Sequence, residues 1–131
     1  TNVSGVFACG NVLHVHDLVD CVTEEAERCG ENICAYLQGK PATDQYRVVA
    51  GANIRYVIPN RFSPDIDNNF YLRSMVVKNK AELQIKLDGQ VIKSRKLPHV
   101  QPSEMVNITL PKSKIEGISK LKDNKLEFTI Q

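Results

Sequence analysis

Long apolar segments are missing from this sequence. None of its 131 residues belongs to an apolar run that approaches the roughly 20 residues needed by a membrane-crossing helix. A secretory leader, with a basic start and an apolar centre, is missing as well. We therefore expect a cytoplasmic protein that has no membrane partner.

Catalytic signatures are also missing. The sequence contains no G-x-S-x-G nucleophile elbow, no P-loop and no H-E-x-x-H helix. It also lacks the G-x-G-x-x-G turn that holds a dinucleotide pyrophosphate. We therefore assign no catalytic residue to this chain.

Aromatic side chains are scarce and offer no platform for nucleic acid. Phe, Trp and Tyr make up 6% of the chain, and the lysines of its second part are not interleaved with aromatics. Residues 1–40 carry two basic and six acidic side chains, a net charge of −4, whereas residues 41–131 carry fifteen and nine, a net charge of +6. Such a contrast does not specify a partner, and we predict no nucleic-acid binding.

Cysteine is present, but no cysteine motif is. All four cysteines lie in the first 34 residues, at spacings that match neither C-x-x-C nor a zinc ribbon. We interpret them as small buried apolar residues of a protein kept in a reducing compartment. A redox pair of Cys29 and Cys34 is the alternative, although two residues five apart on one helix point to different sides.

Hydrophobic spacing divides the chain near residue 40. In residues 1–40 a short apolar run ends at Gly10, which predicts a strand and a turn. Apolar positions then recur every three or four residues, which predicts a helix that Gly39 and Pro41 end. The predicted buried face of this helix consists of Leu18, Val22, Ala26, Cys29, Ile33 and Leu37.

From about Asp44 the apolar period becomes two. About seven short alternating segments, separated by turn signals, predict a mainly β fold with a seven-stranded immunoglobulin-like β-sandwich over residues 41–131. Asp88-Gly89 predicts a two-residue hairpin in which Ile85 faces Ile92 and Glu82 faces Arg95. The predicted core contains Ile54, Tyr56, Leu83, Ile85, Ile108, Leu110, Phe128 and Ile130.

The first eleven residues, TNVSGVFACGN, carry a recognisable motif. A threonine followed by G-V-F-A-x-G-N resembles the second FAD motif of the pyridine nucleotide-disulfide oxidoreductases and thioredoxin-reductase-like flavoproteins. The resemblance to NAD(P)/FAD-dependent oxidoreductases continues through the helix to about residue 38. The sandwich, with IRYVIPNRF and PSEM, is similar to the C-terminal domain of the same branch. The matching motif residues are Thr1, Gly5, Val6, Phe7, Ala8, Gly10 and Asn11.

This resemblance implies an incomplete protein. Residues 1–40 would be the C-terminal end of a Rossmann-like FAD-binding domain, and residues 41–131 a structural or interaction domain. The partner would be the remainder of the FAD and NAD(P) domains of the parent chain. Because no glycine-rich pyrophosphate turn is present, we expect the chain alone to be inactive and not to retain FAD.

The resemblance also implies four cofactor-binding residues: Gly10, Asn11, His16 and Asp17. A glycine lets the backbone approach a ligand closely, and the start of a helix favours negative charge. Asn11 stands where many relatives have Asp, so its contact with the flavin side of FAD would be neutral.

His14 and His16 also allow a metal site. Two histidines at i and i+2 can present both rings on one side of an extended segment, where Asp17 or Cys21 could add a ligand. However, Asp17 directly follows the second histidine, unlike the usual H-x-H-x-D-H pattern, and we assign no metal ligand. Capping and packing are the other roles open to these side chains.

Two functions are therefore carried forward. The first is the C-terminal part of a flavin-dependent NAD(P)H oxidoreductase. The second is a stand-alone β-sandwich module that binds a protein or carbohydrate partner. In the first case we also expect the apolar face of the helix to pack on the sandwich or on a second copy of the chain.

Overall fold

The computed structural model describes residues 3–40, 46–115 and 125–131. The chain divides into two compact units, Thr1–Ala42 and Thr43–Gln131, called unit 1 and unit 2 below. The fold is mainly β, with one α-helix among the described residues. Within those residues, no helix combines the length and apolarity needed to cross a bilayer.

Unit 1 begins with an irregular segment. The predicted strand ending at Gly10 is not formed within the described residues: residues 6–9 are in neither a strand nor a helix. Extended backbone becomes a strand only when a neighbouring strand completes its hydrogen bonds, and none does so here. A short 3₁₀ turn over Gly10–Val12 follows.

Helix α1 spans Val19–Leu37, and the predicted glycine stop is confirmed. Gly39 has a φ of +66°, and its N–H donates to the carbonyl of Tyr36 over 3.0 Å; glycine adopts this left-handed conformation without strain. The predicted buried face is wrong: of its six residues, Val22, Cys29 and Ile33 are half-buried and the other three are exposed. Glu25 is the only buried residue of α1, whereas Leu18 and Leu37 are 64% and 77% exposed.

Unit 2 contains eight strands in its described residues. They form a five-stranded sheet in the order β3-β1-β8-β5-β6 and a three-stranded sheet in the order β2-β4-β7. The bounds are β1 Tyr46–Ala50, β2 Ile54–Ile58, β3 Arg61–Phe62, β4 Asn68–Ser74, β5 Lys78–Leu87, β6 Gln90–Val100, β7 Met105–Leu110 and β8 Leu126–Ile130. Only β1 and β8 pair in parallel; the other described pairs are antiparallel.

The two sheets share one hydrophobic core. Seven of the eight predicted core residues are buried, and the rings of Phe70 and Phe128 meet with centroids 4.9 Å apart. Tyr56 is the exception, since it is half-buried while Val57 is buried. The register of β2 on β4 shifts between Ile54 and Tyr56, and an extra residue of this kind reverses the inward and outward positions that follow it.

The predicted hairpin joins β5 to β6. Asp88 and Gly89 form its turn with φ angles of +46° and +88°, and Leu87 pairs with Gln90 as predicted. The predicted register is wrong from Ile85 back to the start of β5. A bulge between Ile85 and Lys86 makes Ile85 pair with Lys93 and not with Ile92.

Lys93 and Arg95 of β6 connect the two sheets. They lie opposite Ile85 and Leu83, and directly opposed residues project from the same face of a sheet. Their charged ends donate to backbone carbonyls of β7, the outer strand of the other sheet: Lys93 Nζ to Thr109 and Arg95 Nη1 to Asn107, the latter over 2.7 Å. The bulge therefore brings two cations across to β7.

Candidate functional site

The candidate site lies in unit 1, around Gly10. This glycine is buried and has a φ of +71°, a conformation that costs an L-residue roughly 1–2 kcal/mol. Cys9 before it is extended, with φ −152° and ψ 166°. The chain therefore turns sharply at the glycine of the motif.

Two histidine rings lie together in the segment after this turn. His14 and His16 are two residues apart in irregular backbone, and their ring centroids are 4.2 Å apart at an interplanar angle of 51°. Their side chains are 2% and 0% exposed. Both rings therefore lie on one side of the segment, as the i, i+2 spacing allows.

Glu25 of helix α1 faces the two rings. Its Oε2 lies 2.9 Å from His16 Nε2 and accepts a 2.7 Å hydrogen bond from the Gly10 N–H. Its Oε1 lies 3.7 Å from His14 Nε2. Burial of a carboxylate is expensive unless it is hydrogen-bonded or paired, and here one carboxylate holds both the turn and the histidine segment. We call His14, His16 and Glu25 the His–Glu cluster.

Three of the four residues predicted to bind a cofactor come together. The Asn11 Oδ1 accepts a 3.4 Å hydrogen bond from the His16 N–H, and Gly10 is joined to the His16 ring through Glu25. Asn11 is exposed, whereas the His16 ring is buried. Asp17 is exposed and is not part of the His–Glu cluster.

Glu25 was not among the site residues predicted from the sequence. Its position nevertheless carried a signal, because Glu25 comes three residues after Val22 and four before Cys29, on the predicted buried face of the helix. A charged residue on an apolar face needs a polar partner. The periodicity could therefore have pointed to Glu25, but not to the histidines that it meets.

The cysteines are free and are less buried than predicted. Cys34 is exposed and the other three are half-buried. Burial raises the pKa of the Cys29 thiol, as do its contact with Cys9 and the nearby charge of Glu25. Burial also raises the pKa of Cys21, with further contributions from Glu24, Asp20 and Asp17. Neither thiol has the lowered pKa of a reactive cysteine.

The His–Glu cluster has the ligand types of a metal centre. One ligand atom from each of its three residues lies within 4.8 Å of the other two, and two imidazoles with one carboxylate are a common zinc set. Asp17 and Cys21 do not belong to it. Comparison of the chain with protein-family models, with curated proteins and with solved structures gave no match.

Proposed function

We propose that this chain is the C-terminal part of a cytoplasmic FAD- and NAD(P)-dependent oxidoreductase. In this proposal unit 1 is the end of a Rossmann-like flavin-binding domain and supplies the second flavin contact. Unit 2 is an immunoglobulin-like sandwich with a structural or interaction role. The parent enzyme transfers hydride between a nicotinamide cofactor and FAD, and the flavin supplies the redox chemistry.

The distribution of apolar side chains in unit 1 is the observation that carries the proposal. The nineteen buried hydrophobic residues described all belong to unit 2, whereas ten of the fourteen exposed large hydrophobics belong to unit 1. Compact domains bury such side chains. The exposed apolar side chains of unit 1 support the proposal that the remaining part of a larger domain covers them.

The geometry around Gly10 supports flavin contact at this piece. Asn11 and Asp17 are exposed, so their side chains are accessible to a ligand on the outer side of the turn. The His16 ring is buried against Glu25. In the proposal His16 therefore contacts the cofactor through its backbone and positions the loop that carries Asn11.

The chain alone should not retain FAD. The cofactor needs an anchor for its pyrophosphate as well as one for its flavin half, and the glycine-rich turn for the first is absent from the sequence. Each hydrogen bond lost from a charged group weakens binding by roughly 1.5 to 3 kcal/mol. Several such losses reduce a tight cofactor complex to negligible affinity.

The experiment is an FAD titration of two proteins, the 131-residue chain and the longer chain encoded with its upstream coding sequence. We expect a flavin absorbance band and one FAD per molecule for the longer chain, and neither for the shorter. In the longer chain Asn11→Ala should weaken FAD binding about fivefold to tenfold, because one neutral hydrogen bond is lost.

The matched control is Asn32→Ala, which removes an exposed amide of α1 that bonds only locally, to the Arg28 carbonyl over 2.8 Å. It should leave FAD affinity unchanged. A longer chain that stays colourless, or upstream sequence without a strand, glycine-rich turn and helix, would contradict the proposal. Either result favours the alternative, a stand-alone β-sandwich module that binds a protein or carbohydrate partner.

A further inference from the structure

We propose that His14, His16 and Glu25 bind one divalent transition-metal ion of the zinc type. The ion would tie the segment after Gly10 to helix α1. This site does not depend on flavin binding, because the flavin proposal uses the exposed side of the turn and the metal uses the buried His–Glu cluster.

The ligand types of the His–Glu cluster match zinc. Zinc is bound by histidine nitrogens and carboxylate oxygens at about 2.0–2.2 Å, and two histidines with one glutamate form a known zinc set. Magnesium and calcium prefer oxygen ligands, so two imidazoles select against them. The cluster contains no thiolate, which makes a copper(I) or iron–sulfur centre a poor match.

The possible ligand atoms of the cluster lie close together. Tetrahedral ligands at zinc bond lengths lie about 3.3 Å from one another. His16 Nε2 lies 2.9 Å from Glu25 Oε2, and His14 Nε2 lies 3.7 Å from Glu25 Oε1. One separation is shorter than this value and the other is longer, each to a different oxygen of the carboxylate, and one ligand atom from each residue lies within 4.8 Å of the other two. The proposal requires the three side chains to draw together around the ion.

Hydrogen bonds from the turn hold the ligand residues in place. Metal-binding carboxylates are held in turn by hydrogen bonds from their surroundings. The Gly10 N–H holds Glu25 Oε2 over 2.7 Å, so the carboxylate that faces both rings is fixed at one of its oxygens. The Asn11 Oδ1 holds the backbone of His16. The turn residues therefore orient two of the three ligands.

The composition of unit 1 gives the ion a structural purpose. The described residues of unit 1 that are buried are Gly10, His14, His16 and Glu25, and none of them is a large apolar residue. Units of about 40 residues usually need a disulfide, a metal or a partner to fold stably, and the described cysteines are free. A metal would join two segments that little apolar surface holds together.

The test uses the 131-residue chain with Co²⁺ as the spectroscopic probe and Zn²⁺ as the competitor. We expect one Co²⁺ per chain, with the visible bands of tetrahedral coordination and without the near-ultraviolet band of cobalt–thiolate bonding. Equimolar Zn²⁺ should displace it. A thiolate band that disappears in Cys9→Ser/Cys29→Ser would overturn the proposal, since the metal would then be bound by cysteines.

Histidine NMR identifies the ligands without any substitution. The chain has three histidines, so their ring nitrogens can be resolved individually. With Zn²⁺ the Nε2 signals of His14 and His16 should shift, and those of His99 should not, because His99 is exposed and bonds to Asn79. Shifts confined to His99, or no shift at saturating Zn²⁺, would refute the site.

Substitutions test the contribution of the carboxylate. In Glu25→Gln an amide oxygen can still accept from the Gly10 N–H, but the anionic ligand is lost, so Zn²⁺ affinity should fall by more than the roughly 10- to 100-fold caused by losing an outer-shell partner. His14→Gln should have a comparable effect. The matched controls are Glu27→Gln and His99→Ala, both at exposed positions. They should bind Zn²⁺ as tightly as the unsubstituted 131-residue chain does. Equal binding by Glu25→Gln and Glu27→Gln would overturn the proposal.

Discussion

The cysteine side chains of unit 1 differ in burial. Cys34 is exposed, whereas Cys21 and Cys29 are half-buried and have raised pKa values, chiefly because burial disfavours the thiolate. The thiolate is the nucleophilic form of cysteine. The thiols of one short unit should therefore react at different rates.

We predict that iodoacetamide modifies Cys34 first at mildly alkaline pH. Cys21 and Cys29 should react more slowly than Cys34. Their raised pKa values leave a smaller fraction of each ionised than of an ordinary cysteine thiol at the same pH. Rising pH should narrow the difference as both thiols ionise. Peptide mass spectrometry at timed intervals measures the order, and a faster reaction at Cys29 than at Cys34 would show that the burial assigned to Cys29 is wrong.

At the scale of whole elements, the connection between β1 and β2 is set by one close approach. The Gly51 N–H donates to the Phe128 carbonyl over 2.8 Å, and a Cβ at Gly51 would lie 2.8 Å from that same oxygen. The oxygen belongs to the backbone of β8, which is paired on both sides. It cannot move aside without disturbing two strand pairs.

We predict that Gly51→Ala destabilises unit 2 by about 1–3 kcal/mol, as expected when an extra methyl group is forced into a packed site. Denaturant unfolding of the sandwich measures the loss. Gly30→Ala is the control, because a Cβ at that exposed helical position meets nothing within 4 Å, and it should not lower the midpoint. Equal midpoints for the two variants would contradict the close approach.

The strands were predictable wherever alternation was uninterrupted. Ile108 and Leu110 of β7 are buried as their period of two requires. The burial predicted for Tyr56 and the pairing predicted for Ile85 were both wrong, and a bulge lies next to each residue. A bulge inserts one residue without changing composition, so a periodic pattern carries no sign of it. The two-residue strand β3 was also missed, since two residues are too few to show a period.

The candidate site was predictable only in part for a different reason. Gly10, Asn11 and His16 are close in sequence, so a local motif could place them together. Glu25 comes fifteen residues after Gly10 in the sequence, and the two residues meet only in the folded chain. The spacing of residues within a local motif does not predict a contact between residues this far apart in the sequence.

Across the molecule as a whole, buried apolar surface is distributed unequally. Every described large hydrophobic that is buried lies in unit 2. Burial of such surface is the main favourable contribution to folding, at about 25 cal/mol per Å². The two units should therefore differ in local stability although they belong to one chain.

We predict that amides of β4, β5 and β8 exchange with deuterium most slowly and that amides of α1 exchange much faster. Mass-resolved hydrogen exchange on the 131-residue chain measures both in one experiment. If the His–Glu cluster binds Zn²⁺, adding Zn²⁺ should slow exchange in α1 and leave β4 unchanged, because a ligand protects the unit that it binds. Equal protection of α1 and β4 without metal would contradict the inequality.

The cations that bridge β6 to β7 also affect how copies of this protein meet. β7 is an outer strand, and an outer strand with open carbonyls is a template on which a foreign strand can grow. Lys93 and Arg95 already donate to the carbonyls of Thr109 and Asn107, and they bring positive charge to the place where a second chain would add. Through the bulge between Ile85 and Lys86, the hairpin thus places two cations at this edge, where charge disfavours the addition of a second strand.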